Sequence, residues 1–543
     1  AIFAQAQMDR KCAWIWFASV LSSLGAFLFG LDIGYIAPIL ECASFKRDVA
    51  HLKDWDDPES AISSSEVGFI VGVFSIGCIA VSFPPVSSYF LDEWGRRSSI
   101  ILGTSVFICG TLVQLSANSI RQIAIGRLVA GCSIGLLSTV VALYQSELAP
   151  ASMRGGLTSL YQLMITLGIL VATLVDVPLV NMDKGWRLAI GFQLVPAFVL
   201  LVGMLFLPRS PRWLVQRHRA EEALGVLRSL RSSEEEAREE LDEILADHAA
   251  AQAIGEPRWA ELFSGRVAQL LAVGVTLQLL QQLVGMNAFM YFGPRLFRDL
   301  GVAENDFQVG IDVVNLVSTF PALYLVDRCG RRTLLVWGAA GMALACGAVG
   351  LVGRQLALAE DGEAGSFALR AAMASAVFFF VANFAYGWGP VTWVYCAEIF
   401  PLRHRGRCVG LTTMSNWVGN YLVAQFTPVL FEAVAFGSFF AFGACCLAAL
   451  ALALWLPETR GLPLEQIGAL FDAKLGGGIP DPASETSALR DEDPAVPGAA
   501  PSREARDKKG PRYSAAGAAT CGGGEPQAQS VGRPADSAEQ VFC

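Results

Sequence analysis

The chain has 543 residues, of which 53% are apolar and only 16% are charged. Soluble globular proteins carry about 25% charged residues, so this chain has too little polar surface to dissolve as one compact body. The same composition excludes a disordered, collagen-like or coiled-coil protein. A formal net charge of −9 argues against a nucleic-acid-binding protein.

Twelve long apolar stretches predict membrane-spanning helices, because a helix needs about 20 apolar residues to cross a bilayer. We number them spans 1 to 12, and they cover residues 14–39, 66–90, 98–117, 121–146, 156–180, 186–207, 267–297, 307–326, 332–353, 371–397, 408–431 and 436–456. Their length and number disfavour a soluble protein with twelve buried helices. Residues 387–390 predict a break in span 10, which membranes tolerate where a helix lines a cavity or is buried in protein.

Arginines concentrate in the loops on one side of these spans, as at 96–97, 154, 328–332 and 403–407. The positive-inside rule predicts that this side, together with both termini, is cytoplasmic. The predicted organisation is a cytoplasmic N-terminus 1–13, a six-helix half 14–207, a cytoplasmic linker 208–266 with short helices, a second six-helix half 267–456, and a cytoplasmic tail 457–543. From about residue 474 the tail is rich in Gly, Ala, Pro and Ser, which predicts disorder.

Short patterns recur at nearly constant spacing along the chain. D-x-x-G-R-R begins at 92 and 327, E-x-x-P-x-x-x-R-G begins at 147 and 398, and a Leu-Pro pair ends at 208 and 457, giving offsets of 235, 251 and 249 residues. Internal repeats of this kind predict two pseudo-symmetric six-helix halves. Two related halves around a site at the membrane midplane are the architecture of alternating-access transporters.

The repeated loops carry carboxylates and guanidiniums at the ends of the helices. We expect these groups to form a cytoplasmic ion-pair network that holds the halves together when the protein faces outward and breaks when it opens inward. The expected members are Asp92, Arg96, Arg97, Glu147, Arg154, Asp327, Arg331, Arg332, Glu398 and Arg405. The alternative is that the arginines serve only as positive-inside anchors.

Together these motifs resemble the sugar porter branch of the major facilitator superfamily, over residues 14–465. The resemblance also rests on Gly126-Arg127 in span 4, on Q-Q-L-x-G-x-N from Gln281 to Asn287, and on P-E-T-R-G from 457 to 461. It implies the major facilitator fold and adds Glu458 to the ion-pair network. One departure stands out: Arg209 occupies the position where the family's P-E-S-P-R pattern has glutamate, which implies a weaker or rewired cluster in the first half.

Amide side chains suit a neutral sugar, since they both donate and accept hydrogen bonds and carry no charge to desolvate. The resemblance implies that sugar-contacting positions are Gln162, Gln281, Gln282, Asn287, Asn315, Trp393 and Asn416. It also matches Tyr291, Phe292, Gly389 and Pro390 to gating positions on the outer side. The alternative is that the amides are hydrogen-bonding glue between helices.

Asp32 lies well inside span 1, where a carboxylate costs several kcal/mol unless it is paired or protonated. Its expected partner is Arg127 in span 4, and such a pair could take up a proton outside and release it inside. Proton-coupled members of the resembled family carry Asp in span 1, whereas uniporters commonly carry a neutral residue. A static ion pair is the alternative, Asp312 is a rival acid, and we expect Asp176 to reach the outer surface.

The sequence therefore predicts a sugar transporter, specifically a hexose:proton symporter that works by alternating access. A facilitative uniporter is the first alternative and a sugar sensor with little transport the second. We expect no enzyme, cofactor or metal site: no G-x-x-x-x-G-K-[ST] motif occurs, and all four histidines lie outside the spans. The expected partners are a monosaccharide, the proton and the lipid bilayer, with a monomer in the plasma membrane favoured over a vacuolar or plastid membrane.

Overall fold

The structure, a computed structural model, describes residues 2–55, 62–150, 154–231, 233–255, 258–298, 304–358, 364–401, 403–460 and 470–471. Within these ranges the chain is helical and contains no strand. The long helices are Ile2–Glu41, Ser64–Ser82, Arg96–Leu115, Ile120–Leu148, Arg154–Leu179, Gly185–Phe192 with Leu194–Met204, Gly265–Leu283 with Met286–Arg298, Glu304–Cys329, Arg331–Leu358, Ala364–Asn383 with Gly389–Glu398, Arg405–Val434, and Ser438–Trp455.

Eleven helical segments in the described part of the chain are long and apolar enough to cross a membrane, and each coincides with one predicted span. Span 11 is the remaining one and corresponds to the 30-residue helix Arg405–Val434. This helix is less apolar because its buried residues include Thr412, Asn416 and Asn420. The all-α membrane architecture with twelve spans is therefore confirmed.

The spans pack mainly within each half of the chain. In the first half, span 1 packs against span 5, and spans 2 and 3 pack against span 4. In the second half, span 9 packs against spans 10 and 12, and span 7 packs against span 11. Between the halves, span 2 contacts span 11 and span 5 contacts span 8. A Cβ on Gly168 of span 5 would lie 3.0 Å from the Cα of Gly30 in span 1, so these two backbones touch and leave no room for a side chain.

Spans 6, 7 and 10 each depart from a single regular helix, and in span 6 the two helices are separated at Gln193. Span 7 changes direction at Gly285, whose φ of 96° favours glycine. A Cβ at this position would also come 2.7 Å from the ring of Phe442. Span 10 is widened rather than broken, since a π-helical turn at Phe384–Trp388 leads directly into the helix Gly389–Glu398.

Besides a single helical turn at Trp259–Leu262, the described part of the linker forms three helices, Pro211–Gln216, Ala220–Leu230 and Glu234–Ile254, which we call linker helices 1, 2 and 3. They bury their apolar side chains in a small cluster of their own. Several hydrogen bonds join the linker to the first half, and two of them are donated by buried linker side chains. Trp213 Nε1 donates to the carbonyl oxygen of Asp92 at 2.8 Å, and Arg231 Nη1 donates to that of Leu148 at 3.1 Å.

The segment boundaries differ from the predictions at both ends of the chain. The predicted N-terminal segment 1–13 continues into span 1 as one helix from Ile2. Most of the predicted tail, at 461–469 and from 472 onward, lies outside the described residues. We call the side of the membrane core that carries the D-x-x-G-R-R loops the arginine-rich end, and the other side the opposite end.

Candidate functional site

The amides of spans 7 and 11 form one hydrogen-bonded cluster. Gln282 Nε2 donates to Asn416 Oδ1 at 2.9 Å, and Asn287 Nδ2 donates to Gln282 Oε1 at 2.5 Å. Asn416 Nδ2 also donates to Oε1 of Gln281. Gln281 and Asn416 are buried, whereas Gln282 and Asn287 are half-buried. The cluster thus has an accessible edge and a buried support.

Gln281 connects this cluster to the widened part of span 10. Its Nε2 lies 3.0 Å from the carbonyl oxygen of Trp388, 2.9 Å from that of Gly389, and 2.8 Å from Oγ1 of Thr392. An amide nitrogen carries only two hydrogens, so these partners use its full donor capacity. Gln281 therefore fixes the geometry of span 10 rather than offering a free donor.

Gln278 is a member of the cluster that the sequence reasoning missed. Its side chain is fully buried, and its Oε1 accepts a hydrogen bond from Asn416 Nδ2 at 2.7 Å. Gln278 lies three residues before Gln281 and four before Gln282, a spacing that places side chains on one helix face. That spacing was the available signal.

The other predicted sugar-contacting residues lie apart from this hydrogen-bonded network. Gln162 and Trp393 are half-buried, and Asn315 is 5% exposed. Across the described residues, none of these three side chains is hydrogen bonded to the amide cluster. The structure thus joins four of the seven predicted residues directly and leaves these three unconnected.

The predicted gating residues lie close to a contact between the two halves. Tyr291 and Phe292 are buried in the second part of span 7, which packs against span 1. The hydroxyl of Tyr291 lies 3.3 Å from Asn420 Oδ1, which also accepts a bond from Ser75 of span 2 at 2.8 Å. Gly389 and Pro390 open the last helix of span 10, next to the carbonyl groups that Gln281 binds.

Asp32 and Arg127 form a fully buried pair, each only 1% exposed. Arg127 Nη2 lies 3.4 Å from Asp32 Oδ2, but neither oxygen of Asp32 has a hydrogen-bond partner of good geometry among the described residues. The hydroxyl of Tyr35, which is also nearby, donates its one hydrogen to Gln114 Oε1 at 2.7 Å. The guanidinium is held elsewhere, because Nε donates to the Ile70 carbonyl at 2.8 Å and Nη1 to the Tyr35 hydroxyl at 2.6 Å. A buried carboxylate without hydrogen bonds is costly, and protonation removes its charge.

Aromatic rings connect this pair to span 11. The guanidinium of Arg127 lies 5.2 Å from the ring centre of Phe74, and Phe74 packs edge-on against Trp417 with ring centres 6.1 Å apart. Trp417 also contacts Phe29 of span 1 at 5.2 Å and follows Asn416 in the sequence. The buried charge pair and the amide cluster are thus linked through packed side chains.

Two further acids considered in the sequence, Asp312 of span 8 and Asp176 of span 5, are both buried. Asp312 accepts from Thr173 Oγ1 at 2.6 Å and from Gln308 Nε2 at 3.3 Å. The prediction that Asp176 reaches the surface is wrong, since it is 1% exposed, and its Oδ2 has no hydrogen-bond partner among the described residues. Span 5 packs against spans 1 and 8, and Thr173, three residues before Asp176, is bonded to Asp312 of span 8; a reading of span 5 alone could not show these neighbours.

The expected ion pairs at the arginine-rich end occur in both halves in the same form. Arg96 Nη2 lies 2.9 Å from Glu147 Oε1 in the first half, and Arg331 Nη2 lies 2.9 Å from Glu398 Oε1 in the second. Arg96 also lies 3.9 Å from Asp92. Each of these pairs joins elements of the same half, and none of the three holds the two halves together as the sequence predicted.

The second arginines of the two repeats bind carbonyl groups instead of acids. Arg97 donates to the Met204 carbonyl at 2.9 Å and the Leu205 carbonyl at 2.5 Å, and Arg332 donates to the Leu454 carbonyl at 2.7 Å. Arg405 donates to the carbonyl oxygen of Phe400 at 3.2 Å. These bonds satisfy carbonyl groups at helix ends. The side chains of Arg154 and Asp327, also predicted members of the network, lie outside the described residues.

Glu458 is bonded to the start of span 9. Its Oε1 accepts from the backbone N–H of Arg331 at 2.8 Å, and its Oε2 accepts from that of Arg332 at 3.0 Å. The corresponding position of the first half, Arg209, contacts the ring of Trp213 at 5.7 Å. The cluster of the first half is therefore built differently from that of the second.

Twelve spans in two halves, with polar amides and a buried charge pair inside the bundle, define a membrane transporter of the major facilitator class. Comparison with known proteins identifies the family. The sequence model of the family described as "Sugar (and other) transporter" matches residues 18–471. The chain belongs to that family, whose members are transporters and not enzymes.

Curated relatives and solved structures agree with this assignment. The chain is 32% identical over 478 residues to "Hexose transporter HXT10" of Saccharomyces cerevisiae, covering 85% of this chain and 87% of that protein. It is 35% identical over 475 residues to "Probable glucose transporter rco-3" of Neurospora crassa, covering 82% and 77%. The proton:xylose symporter XylE bound to 6-bromo-6-deoxy-D-glucose has a TM-score of 0.68 at 28% identity, covering 85% of this chain and 99% of that one. An inward-open structure of XylE from E. coli has a TM-score of 0.67 at 28% identity, covering 84% of this chain and 99% of that one.

Proposed function

We propose that this sugar transporter is a hexose:proton symporter that works by alternating access. The names of the curated relatives support a hexose, and the name of XylE supports a proton as the coupling ion. The observation that carries the proposal is Asp32, a buried carboxylate that accepts no hydrogen bond from the described residues. Burial favours the protonated acid, whereas Arg127 at 3.4 Å favours the carboxylate, so a change in this contact can move a proton on or off Asp32.

The accessible edge of the amide cluster is the proposed sugar site. Gln282 and Asn287 would bind the sugar hydroxyls, since each amide keeps a second donor or lone pair beyond its bond within the cluster. Gln281 and Asn416 would hold them in place. Gln162, Asn315 and Trp393 are proposed to line the remaining walls, with the ring of Trp393 against the C–H face of the sugar, and Tyr291, Phe292, Gly389 and Pro390 to form the outer gate.

The proposed cycle uses the contacts around Arg127. When Asp32 takes up a proton from outside, its attraction for Arg127 is lost, and the guanidinium then depends on its bonds to Ile70 and Tyr35. Arg127 packs on Phe74, and Phe74 contacts Trp417 of span 11. A movement of Arg127 therefore changes the packing of the helix that carries Asn416. Closure over the sugar and release of the proton to the other side complete the cycle.

Substitution of Asp32 tests this proposal. In proteoliposomes with an imposed pH gradient, Asp32→Asn is expected to abolish uphill hexose uptake while sugar exchange continues, because the amide removes the proton site but keeps the shape. Asp312→Asn is the matched control, a second buried acid whose loss is expected to leave uphill uptake intact.

The same assay separates the alternatives. Uphill uptake that survives Asp32→Asn but fails in Asp312→Asn assigns the proton to Asp312. Wild-type uptake that never exceeds the external concentration and ignores a protonophore indicates a uniporter, and hexose binding without flux indicates a sensor. We further propose that the arginine-rich end is cytoplasmic and that the protein acts as a monomer in the plasma membrane.

A further inference from the structure

A cleft of about 530 Å³ lies at the arginine-rich end of the first half, between the membrane core and the linker. Three of its lining residues are arginines from separate parts of the chain: Arg97 at the start of span 3, Arg209 after span 6, and Arg219 before linker helix 2. Glu222 is the one acid of the lining. This charge distribution indicates a ligand that is itself negative.

The acid does not neutralise the cleft. Glu222 is bound by Arg219 through two hydrogen bonds of 2.6 Å, so these two charges cancel each other. Arg97 is oriented by its bonds to the carbonyl groups that end span 6, which are neutral. Arg209 contacts the Trp213 ring and forms no ion pair with any described residue. Two positive charges therefore remain in the cleft.

The second half shows what kind of group fits such a position. Pro208-Arg209 and Pro457-Glu458 occupy matching places in the repeat, and the Glu458 carboxylate binds the backbone where span 9 begins. In the first half an arginine occupies the matching place and cannot accept a hydrogen bond. At this place the described residues of the first half supply no anion, whereas the second half supplies Glu458 from its own chain.

We propose that this cleft binds the phosphate group of an anionic phospholipid, which supplies the missing negative charge. Guanidinium groups bind phosphate oxygens in pairs of charge-assisted hydrogen bonds. A lipid is favoured over a soluble anion because Leu205 and Phe206, four and three residues before Arg209, are 53% and 76% exposed and offer an apolar surface to acyl chains. A phosphate bound here would connect span 3, the end of span 6 and linker helix 2.

Thermal unfolding of the full-length protein in nanodiscs tests this proposal. Phosphatidylglycerol in a phosphatidylcholine disc is expected to raise the unfolding temperature of the wild type, and Arg209→Gln is expected to lose most of that rise. Native mass spectrometry should show phosphatidylglycerol binding about tenfold weaker in the variant, the effect of one charge-assisted hydrogen bond. Arg209→Glu, which recreates the arrangement of the second half, is expected to remove the lipid response completely.

Arg212→Gln is the control, since Arg212 is only three residues from Arg209, in linker helix 1, but lies outside the cleft and 3.6 Å from Asp247. It is expected to keep the full lipid response. An equal loss in both variants would mean general surface attraction and would overturn the site, as would a wild type that ignores phosphatidylglycerol. Soluble glycerol phosphate that stabilises the wild type as strongly in a phosphatidylcholine disc would assign the cleft to a free phosphate compound and overturn the lipid. None of these measurements depends on transport.

Discussion

The two adjacent glutamines of span 7 are predicted to fail in different ways when each is changed to alanine. Gln282 lies at the accessible edge of the amide cluster, whereas Gln281 belongs to its buried support. Gln282→Ala is therefore expected to weaken sugar binding while the protein keeps its stability. Gln281→Ala is expected to destabilise the protein and to disturb transport only as a consequence.

The size of each effect follows from the bonds lost. Removing Gln281 deprives two span 10 carbonyl groups and Thr392 of a donor and Asn416 of an acceptor. A buried polar group left without a partner costs about 1–3 kcal/mol. Asn416 keeps its bond to Gln278, and the Trp388 carbonyl keeps Thr392 Oγ1 as a donor. We therefore expect a total of about 2–4 kcal/mol. Water can replace the partly exposed Gln282, so its stability cost should stay below about 1 kcal/mol.

For sugar binding, Gln282→Ala is expected to have the larger effect of the two variants. Loss of one or two hydrogen bonds between Gln282 and a sugar hydroxyl is worth about 1–3 kcal/mol, a rise in the dissociation constant of roughly 5- to 150-fold. The assay pairs equilibrium binding of labelled hexose with thermal unfolding in the same detergent. If Gln281→Ala unfolds like the wild type, or if Gln282→Ala binds hexose normally, the division into edge and support is refuted.

Two further predictions concern the linker. Arg231→Ala should destabilise the docked linker by about 2–3 kcal/mol, because it removes a buried guanidinium that binds the Leu148 carbonyl. Limited proteolysis should then show faster cleavage of the linker, whereas the control Arg238→Ala, at an exposed side chain, should be cleaved at the wild-type rate. His404 lies 3.1 Å from Glu261 and lowers the pKa of that carboxyl. The contact therefore stabilises above the ordinary Glu pKa and is lost as pH falls through the lowered value. Hydrogen exchange at 258–264 should show that acid-induced loosening, and Glu261→Gln, already loosened at neutral pH, should not respond to acid.

The fold was largely predictable because membrane helices leave a strong signal in the sequence. A run of apolar residues long enough to cross the bilayer identifies each span, and the repeated loop patterns pair the two halves. Span 11 shows the limit of that signal. Its Thr and Asn residues are buried against other helices, and because they are polar they lower the mean hydropathy of the span. The position of this segment between two long apolar stretches is what marks it as a helix.

The site was less predictable, because it depends on which spans are neighbours. The amide run of span 7 could be read from spacing alone, but its connection to Asn416 required the packing of span 7 against span 11. Asp176 shows the converse error. Its place near a helix end suggested the surface, yet the neighbouring helix buries it, and nothing in the sequence of span 5 records that neighbour.

The location of the bonds between the halves bears on how the transporter opens. At the arginine-rich end, the described arginine–glutamate pairs join helices of a single half, so the halves can separate there while every one of these pairs stays intact. The bonds that do cross between the halves include Ser75 to Asn420 and Thr173 to Asp312. Asp312 lies in the part of span 8 nearer the opposite end, and Thr173 in the corresponding part of span 5. Opening toward the opposite end is therefore expected to break the Thr173–Asp312 bond. This bond needs an acceptor at position 312 but no charge, so Asp312→Asn can keep it through the amide oxygen and tests the loss of the acid alone.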